Sequence, residues 1–488
     1  MKTILFICRS ELSDLYAELG KRLQNVFRVE YVAYNGDDVA RLAAHGVKPD
    51  AVFTELLAKQ PIRTPSPEEL EELDSFILRW SDRRFSLNSA IQSDRTYAGM
   101  TYEEAQSNIL RCHHVWKEYF SARKVAYAVH EPVSLAFNQM AELNCKANGG
   151  RYLTFITALG QHKYNYLILD AGNAVCPELL KHLEHPDGDR AGAPDRPDVA
   201  AYLEKFRRDY QILAANAMPK GASALGLLIR GIAHEVKRRL TRDRAPRQAD
   251  SVSYFLRRIN PSLSRFRNRR AYARAIRYDE PVANEKYYYY SFHLEPEAVV
   301  LYWGDGVYTN QVKLIENIAG QLPPGYFLYV KDHPHLLYYR SVEDYLRIKR
   351  IPNVKLMAPH IPGKQLIGNA RGVFSINATA GLEALLMQKE VYIFGNAFYA
   401  ACPLVHSLRN IRDLRDALYA ETPWDEEKER TLHRFLAALF ESTHEGVVCF
   451  FSGMAQKFPI DHDRNFDNIA ADLQNFDRLL SDPGKEDE

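Results

Sequence analysis

Short apolar runs separated by stretches of helical periodicity recur through roughly the first 180 residues of the chain. Ile4 to Cys8 reads as a strand, Leu12 to Leu23 as an amphipathic helix and Val29 to Ala33 as a second strand. Ala126 to His130 and Tyr166 to Leu169 read as later, buried strands. Alternation of this kind implies a mostly parallel sheet with helices on both faces. The alternation resumes at Tyr287, with strands expected at Val299 to Tyr302, Phe327 to Val330, Gly372 to Ser375 and Val391 to Phe394. An amphipathic helix runs from Asn310 to Leu322 and stops at Pro323-Pro324-Gly325. After about residue 405 the pattern is helical to the end, with Asp482 to Glu488 frayed.

Between the two alternating regions the character changes. His185-Pro186-Asp187-Gly188-Asp189 and Gly192-Ala193-Pro194 form a polar, turn-rich piece, and helical patterns follow. From Lys237 to Arg277 there are fourteen Lys and Arg against two Asp, interleaved with Tyr254, Phe255, Leu256, Leu263, Phe266 and Tyr272. The block reads either as a solvated helical insertion or as a patch that docks on anionic membrane lipid or a lipid-linked phosphate. No motif for RNA or DNA accompanies the charge, so nucleic acid is not an expected partner.

At 488 residues the chain exceeds one ordinary core, and two domains are the default. Hydrophobic residues make up 46% and charged residues 26%, as in a soluble globular protein, and the net charge of +1 selects no partner. The 29 tyrosines suit a carbohydrate or nucleotide binder without proving one. Met1 to Arg9 is short for a signal peptide and is better read as the first strand. No apolar run approaches the roughly 20 residues that span a bilayer. The six cysteines are scattered with no CxxC spacing, which favours a reducing compartment and argues against a cysteine-rich zinc site.

Two strand ends carry chemistry. Lys331-Asp332-His333-Pro334-His335 follows the strand ending at Val330. Pro334 keeps His333 out of the helical region, at the strand's mouth. There an imidazole can donate to a phosphate oxygen or protonate a leaving phosphate, or cap the structure, while Lys331 adds a point charge. Ser375-Ile376-Asn377-Ala378-Thr379-Ala380-Gly381-Leu382-Glu383 follows Gly372-Val373-Phe374 and opens a helix. The N–H groups of such a helix start favour an anion. Asn377 or Thr379 either caps this helix or touches the phosphate, and Gly381 permits close backbone approach. Glu383 either accepts from a ribose or lies on the helix surface. Both motifs stand where open α/β sheets bind ligands.

These residues resemble the capsule polysaccharide biosynthesis family, whose best-understood members are Kdo transferases of the GT-B class. The resemblance is carried by Tyr329 to Pro334, Ile351 to Val354, Ser375 to Leu385, Val391 to Gly395 and Phe398-Tyr399. His293-Leu294-Glu295-Pro296-Glu297-Ala298 fits a pattern found ahead of the His-Pro motif, although an amide-type residue is more usual where Glu295 stands. The resemblance is strongest over about 287 to 400. It implies an α/β, GT-B-like chain: two Rossmann-like domains facing across a cleft, a helical basic insertion, and C-terminal helices crossing back. The expected divisions are 1–180 on the acceptor side, 181–285 as insertion or linker, 286–405 binding the nucleotide sugar, and 406–488 as the returning helices.

By the same resemblance the donor is a nucleotide sugar, often a CMP-activated ulosonic acid, and the acceptor a glycan or lipid-linked glycan. His333 would stabilise the leaving phosphate, with Lys331, Pro334, Ser375, Asn377, Thr379, Gly381 and Glu383 around the nucleotide. CMP leaves readily, and no His/Asp cluster has metal-ligand spacing, so no obligatory metal or other cofactor is expected. Glycosyl transfer also needs a carboxylate, as base or nucleophile. Glu131, in Val129-His130-Glu131-Pro132 at a strand end, is the first candidate, with a helix-capping role as its alternative. Glu55 is a weaker one. Arg9, Ser10 and Glu297 are candidate acceptor or donor contacts. The expected location is cytoplasmic, with peripheral attachment to the inner membrane face through 237–277. Competing readings are a teichoic-acid-type polyol-phosphate transferase, a UDP-sugar transferase or epimerase, and a non-catalytic assembly or export partner.

Overall fold

The computed structural model describes residues 1–97, 99–159, 165–170, 174–184, 196–208, 272, 274–293, 298–332, 340–420, 422–448 and 461–481. Most of the basic block 237–277, and the terminal stretch 482–488, lie outside the described residues.

The first sheet is built from β1 (Thr3–Cys8), β2 (Arg28–Ala33), β3 (Ala51–Val52), β4 (Val125–Val129), β5 (Arg151–Leu159) and β6 (Asn165–Asp170). The second comprises β7 (Tyr287–Ser291), β8 (Phe327–Lys331), β9 (Val354–Met357), β10 (Gly372–Ser375), β11 (Glu390–Ile393) and β12 (Val405–Ser407). β13 (His444–Glu445) returns to the edge of the first sheet, beside β6. The strand orders are β13-β6-β5-β4-β1-β2-β3 and β12-β11-β10-β7-β8-β9. The second sheet is parallel throughout, and the first is parallel except where β6 runs against β5 and β13 against β6.

Both sheets therefore start at the centre, grow outward one way, then cross back and grow the other way. The reversal leaves a crevice between β1 and β4 in one lobe, and between β7 and β10 in the other. These crevices are where parallel sheets of this topology receive ligands. The result is two Rossmann-like lobes facing across a cleft, a GT-B-like arrangement.

The central strands read as unbroken apolar runs because both of their faces are covered. Leu5 and Ile7 of β1 enter one core while Ile4, Phe6 and Cys8 enter another. In β7 four consecutive tyrosines alternate in the same way: Tyr287 and Tyr289 face one core, Tyr288 and Tyr290 the other. Their hydroxyls need partners when buried. Tyr287 donates to the Leu366 carbonyl at 2.8 Å and Tyr290 to Gln311 Oε1 at 3.0 Å.

Two expectations about the elements fail. Val299 to Tyr302 is not a strand: Ala298–Leu301 is a single helical turn. A four-residue apolar run cannot distinguish the two by periodicity, and this one is apolar because it plugs the junction of the lobes. Val300 is buried in the second lobe's core, Leu301 and Tyr302 in the first lobe's, and Trp303 packs against cores of both. Nor is the chain purely helical after 405, since β12 and β13 complete the outer edges of the two sheets.

Polar contacts reinforce the junction. Ser93 Oγ donates to the Leu301 carbonyl at 3.2 Å. Asp305 accepts from Arg84 of the first lobe at 3.1 Å and from Asn396 of the second at 2.7 Å. The helix Pro197–Arg208 is pinned to the second lobe by Arg207, which donates to the Leu386 carbonyl at 2.8 Å. The last described helix, His462–Ser481, packs against Leu12–Leu23 of the first lobe, with Arg22 pairing to Asp463 at 2.8 Å and Asp467 at 2.6 Å.

Candidate active site

In the first lobe β1 ends at Cys8 and β4 at Val129, so Arg9 and Glu131 emerge on either side of the β1/β4 crevice. They meet there: Arg9 Nη1 donates to Glu131 Oε1, and the guanidinium lies 5.4 Å from the centre of the Tyr34 ring. Ser134 Oγ donates to the same carboxylate oxygen at 3.2 Å. Burial favours the protonated acid, but His130, Arg9 and Ser134 together outweigh it and hold Glu131 below the usual carboxylate range. The side chains of Arg9 and Glu131 keep 26% and 30% of their surface, so the pair remains open to solvent at the C-terminal ends of β1 and β4.

The capping alternative for Glu131 is excluded by position. The following helix is Ala136–Ala147 with Leu135 at its N-cap, and Asn138 Oδ1 serves the N–H groups of Ser134 and Leu135. Glu55 is exposed on the helix Phe53–Lys59 after β3, which lies two strands from β1. Ser10 adopts a positive φ of 54°, and its N–H is taken by Asp38 Oδ1 at 2.6 Å, which leaves its side chain exposed beside Arg9.

His130, adjacent to Glu131, is fully buried. Its Nδ1 stands 2.6 Å from the Ile7 carbonyl of β1, so that nitrogen carries the proton and ties β4 to β1. Burial lowers its pKa to about 4, and the imidazole is neutral at neutral pH. Tyr152 on β5 donates to the Glu131 carbonyl at 3.2 Å and steadies the same turn.

The second lobe repeats the device with other residues. His293, two residues past β7, accepts the Ile376 N–H on Nε2 at 3.1 Å, which bridges the β7/β10 crevice. Burial, aided by the charge of Arg340, pushes its pKa down to about 3. Gln311 grips its backbone at both ends, accepting its N–H at 2.8 Å and donating to its carbonyl at 3.1 Å. Arg340 lies 3.8 Å over the Phe292 ring, donates to the His293 carbonyl at 3.3 Å and approaches Asp332 at 3.6 Å. Asp332 also accepts from Tyr345 Oη. Lys331 is buried at the end of β8, and burial lowers its pKa against the pull of Asp332.

The helix Thr379–Leu386 begins as the sequence suggests, but neither Asn377 nor Thr379 caps it. Ala378 holds the N-cap position, and its N–H is bound by Ser375 Oγ at 2.7 Å. Ser375 is wholly buried and shapes the turn from beneath. Thr379 is exposed on the first turn, and Asn377 Oδ1 is buried with no hydrogen-bond partner among the described residues. The close approach that Gly381 allows is that of Tyr399: a Cβ there would lie 2.5 Å from Tyr399 Oη, which itself donates to the Ala378 carbonyl at 2.7 Å. Glu383 is buried rather than on the helix surface. His333, Pro334 and Glu297 lie outside the described residues.

His130, His293, Gln311 and Arg340 have no role legible in the sequence, although two of them stand within expected motifs. For the two histidines the signal is position just past a strand next to a topological reversal, visible only once the strand order is known, while Gln311 and Arg340 act through the His293 backbone. Among the described residues no cluster of His, Cys, Asp or Glu could hold a metal ion, and no helix is long and apolar enough to cross a membrane.

Residues 237–416, which include all six strands of the second sheet, match the profile of the capsule polysaccharide biosynthesis protein family. The second lobe is similar to that family. Protein FixF of Sinorhizobium fredii (strain NBRC 101917 / NGR234) is 35% identical over 136 residues, 28% of this chain and 32% of that protein. The match thus spans about a third of that relative's length. Among solved structures, KpsC beta Kdo 2,7 transferase of Thermosulfurimonas dismutans aligns over 90% of this chain and 89% of its own, with a TM-score of 0.39 and 10% identity. The beta Kdo 2,4 transferase of the same organism's KpsC covers 66% and 82%, with a TM-score of 0.33 and 15% identity. Likenesses this distant assign no activity to the chain.

Proposed function

We propose that the protein is a glycosyltransferase of capsule or other surface polysaccharide synthesis, using a nucleotide sugar whose activating group is CMP and whose sugar is an ulosonic acid. The observation that carries this reading is the pairing of two unlike crevices. The second lobe offers an anion a helix N-terminus, with Thr379 on its first turn, and, two strands away on the same edge of the sheet, the buried Lys331 at the end of β8. The first lobe offers a carboxylate held ionised beside a guanidinium.

The chemistry follows from that division. The nucleotide phosphate sits at the helix start, where the departing charge is stabilised, and His333 from the adjoining His-Pro motif donates to it. An ulosonic acid carries a carboxylate on its anomeric carbon. Arg9 binds that carboxylate and so sets the anomeric centre against Glu131, which either deprotonates the acceptor hydroxyl or attacks the anomeric carbon. The acceptor is a glycan or lipid-linked glycan, reached at the cytoplasmic membrane face through the basic residues 237–277.

Thermal-shift titration with CMP, CDP and UDP, followed by transfer assays with the matching sugar nucleotides, tests the reading. CMP should stabilise the protein and a CMP-ulosonic acid should be consumed only with acceptor present. Stabilisation by UDP or CDP and not by CMP overturns the donor assignment. Hydrolysis or epimerisation without transfer overturns the reaction.

A further inference from the structure

His130 presents an unusual combination. Its ring is completely buried, and Nδ1 is committed to the Ile7 carbonyl, which can only accept. Nε2 of the neutral ring is therefore a lone pair. That atom is buried, has no hydrogen-bond partner among the described residues, and lies 3.7 Å from Glu131 Oε1, a second acceptor. A buried acceptor without a donor is costly, and two facing lone pairs add repulsion. A proton placed between them removes both penalties. No described residue supplies one: Arg9 and Ser134 donate to the carboxylate oxygen, the Arg9 guanidinium lies over the Tyr34 ring, and Tyr152 donates its hydroxyl to the Glu131 backbone carbonyl.

We propose that His130 and Glu131 jointly take up the proton that the reaction releases, so that the base of the site is the pair and His130 is its positioning and proton-sharing member. This rests on the transferase reading for its use but not for its geometry. In the reaction the acceptor O–H breaks as its oxygen bonds the anomeric carbon. The proton passes to Glu131 and is kept between Oε1 and Nε2, taking the pair from a charge of −1 to 0, while the bond to the nucleotide phosphate breaks and the nucleotide leaves with its electron pair. Arg9 keeps the empty pair ionised and ready. His130 gives the arriving proton a second acceptor, which the carboxylate alone lacks.

The two amide substitutions separate this role from that of a structural staple. His130→Asn places an amide nitrogen where Nδ1 was, keeping the bond to Ile7 and removing the Nε2 acceptor. His130→Gln places an oxygen where Nε2 was and drops the bond to Ile7. Proton sharing predicts that His130→Asn lowers kcat/KM for transfer roughly 10- to 100-fold and shifts the acid limb of its pH profile, with His130→Gln the milder. The opposite ranking, with an unmoved limb, overturns the proposal in favour of a staple.

Nitrogen NMR of histidine-labelled protein gives a readout that does not depend on activity. The resonance missing in His130→Asn is assigned to His130. At pH 7 it should show Nδ1 protonated and Nε2 bare, and Nε2 should shift in Glu131→Gln, whose amide can donate to it. A proton on Nε2 at pH 7, or no response to Glu131→Gln, sinks the idea. If the nitrogen behaves as expected and no sugar nucleotide supports transfer, the proton-sharing pair stands and the transferase reading falls.

Discussion

The imidazole Nε2 of His293 accepts the backbone N–H of Ile376 at 3.1 Å, fastening the residue just past β10 to the end of β7. The bond exists only while the ring is neutral. His293→Ala would leave a buried N–H unpaired and a cavity beside it, at a cost of about 2–4 kcal/mol. His293→Gln, with an oxygen in place of Nε2, should recover much of that in urea unfolding. The pKa is lowered to about 3 in the fold, so the contribution of His293 is fully present above the unfolded value near 6.5 and is lost as pH falls toward 3. The glutamine variant should therefore lose less stability than the parent between pH 7 and pH 4.5.

His444 behaves in the opposite sense. It lies between Glu178 Oε2 at 2.8 Å and Asp472 Oδ1 at 3.2 Å, joining β13 to the helices Pro177–Glu184 and His462–Ser481. Burial alone would lower its pKa, but the hydrogen bonds it donates to Asp472 and Glu178 prevail and raise it to about 9. A raised pKa stabilises most below the unfolded value near 6.5, and the effect disappears as pH rises through 9. Unfolding free energy should fall by on the order of 3 kcal/mol between pH 6 and pH 10 on this account. The decline should flatten in His444→Gln, and an equal decline in both proteins would remove His444 as its cause.

Gly381→Ala tests why glycine stands in the first turn of the helix Thr379–Leu386. The new Cβ would lie 2.5 Å from Tyr399 Oη, and overpacking of this kind costs about 1–3 kcal/mol. Adding Tyr399→Phe removes the clashing oxygen and should restore part of the loss, a coupling that a double-mutant cycle measures. Additive effects would mean that the helix start moves aside instead.

Arg9→Met should leave CMP-induced thermal stabilisation within error of the parent, because the nucleotide is assigned to the other lobe. Transfer should fall by roughly 100-fold or more if Arg9 both orients the sugar carboxylate and keeps Glu131 ionised. The acid limb of the rate should move to higher pH, since one cause of the lowered Glu131 pKa is gone. Loss of CMP binding in this variant would contradict the division between the lobes.

Legibility in the sequence tracks the range of each interaction. Leu12–Leu23 and Gly372–Ser375 are readable with their observed ends, because helix amphipathicity and a Gly-led apolar run are local. Val299 to Tyr302 misleads because burial at a lobe junction makes the same short apolar run as a strand. Tyr287–Tyr290 carries polar tips that hide a strand buried on both faces. Arg9 and Glu131 are legible as polar residues after apolar runs, whereas their pairing depends on β1 lying beside β4. The same long-range fact hides the roles of His130 and His293. Ser375 reads as a ligand contact, and nothing in its neighbours signals that its hydroxyl is turned inward to Ala378.

Val300, Leu301, Tyr302 and Trp303 distribute four consecutive side chains between the interiors of both lobes. Such a rivet limits the mechanics of the molecule. Wide parting of the lobes would drag Leu301 or Tyr302 into water, so motions that admit substrate and release product are confined to small twists and slides about this point. The same rivet couples the lobes in denaturation, because neither interior can melt while the other keeps its share of the segment.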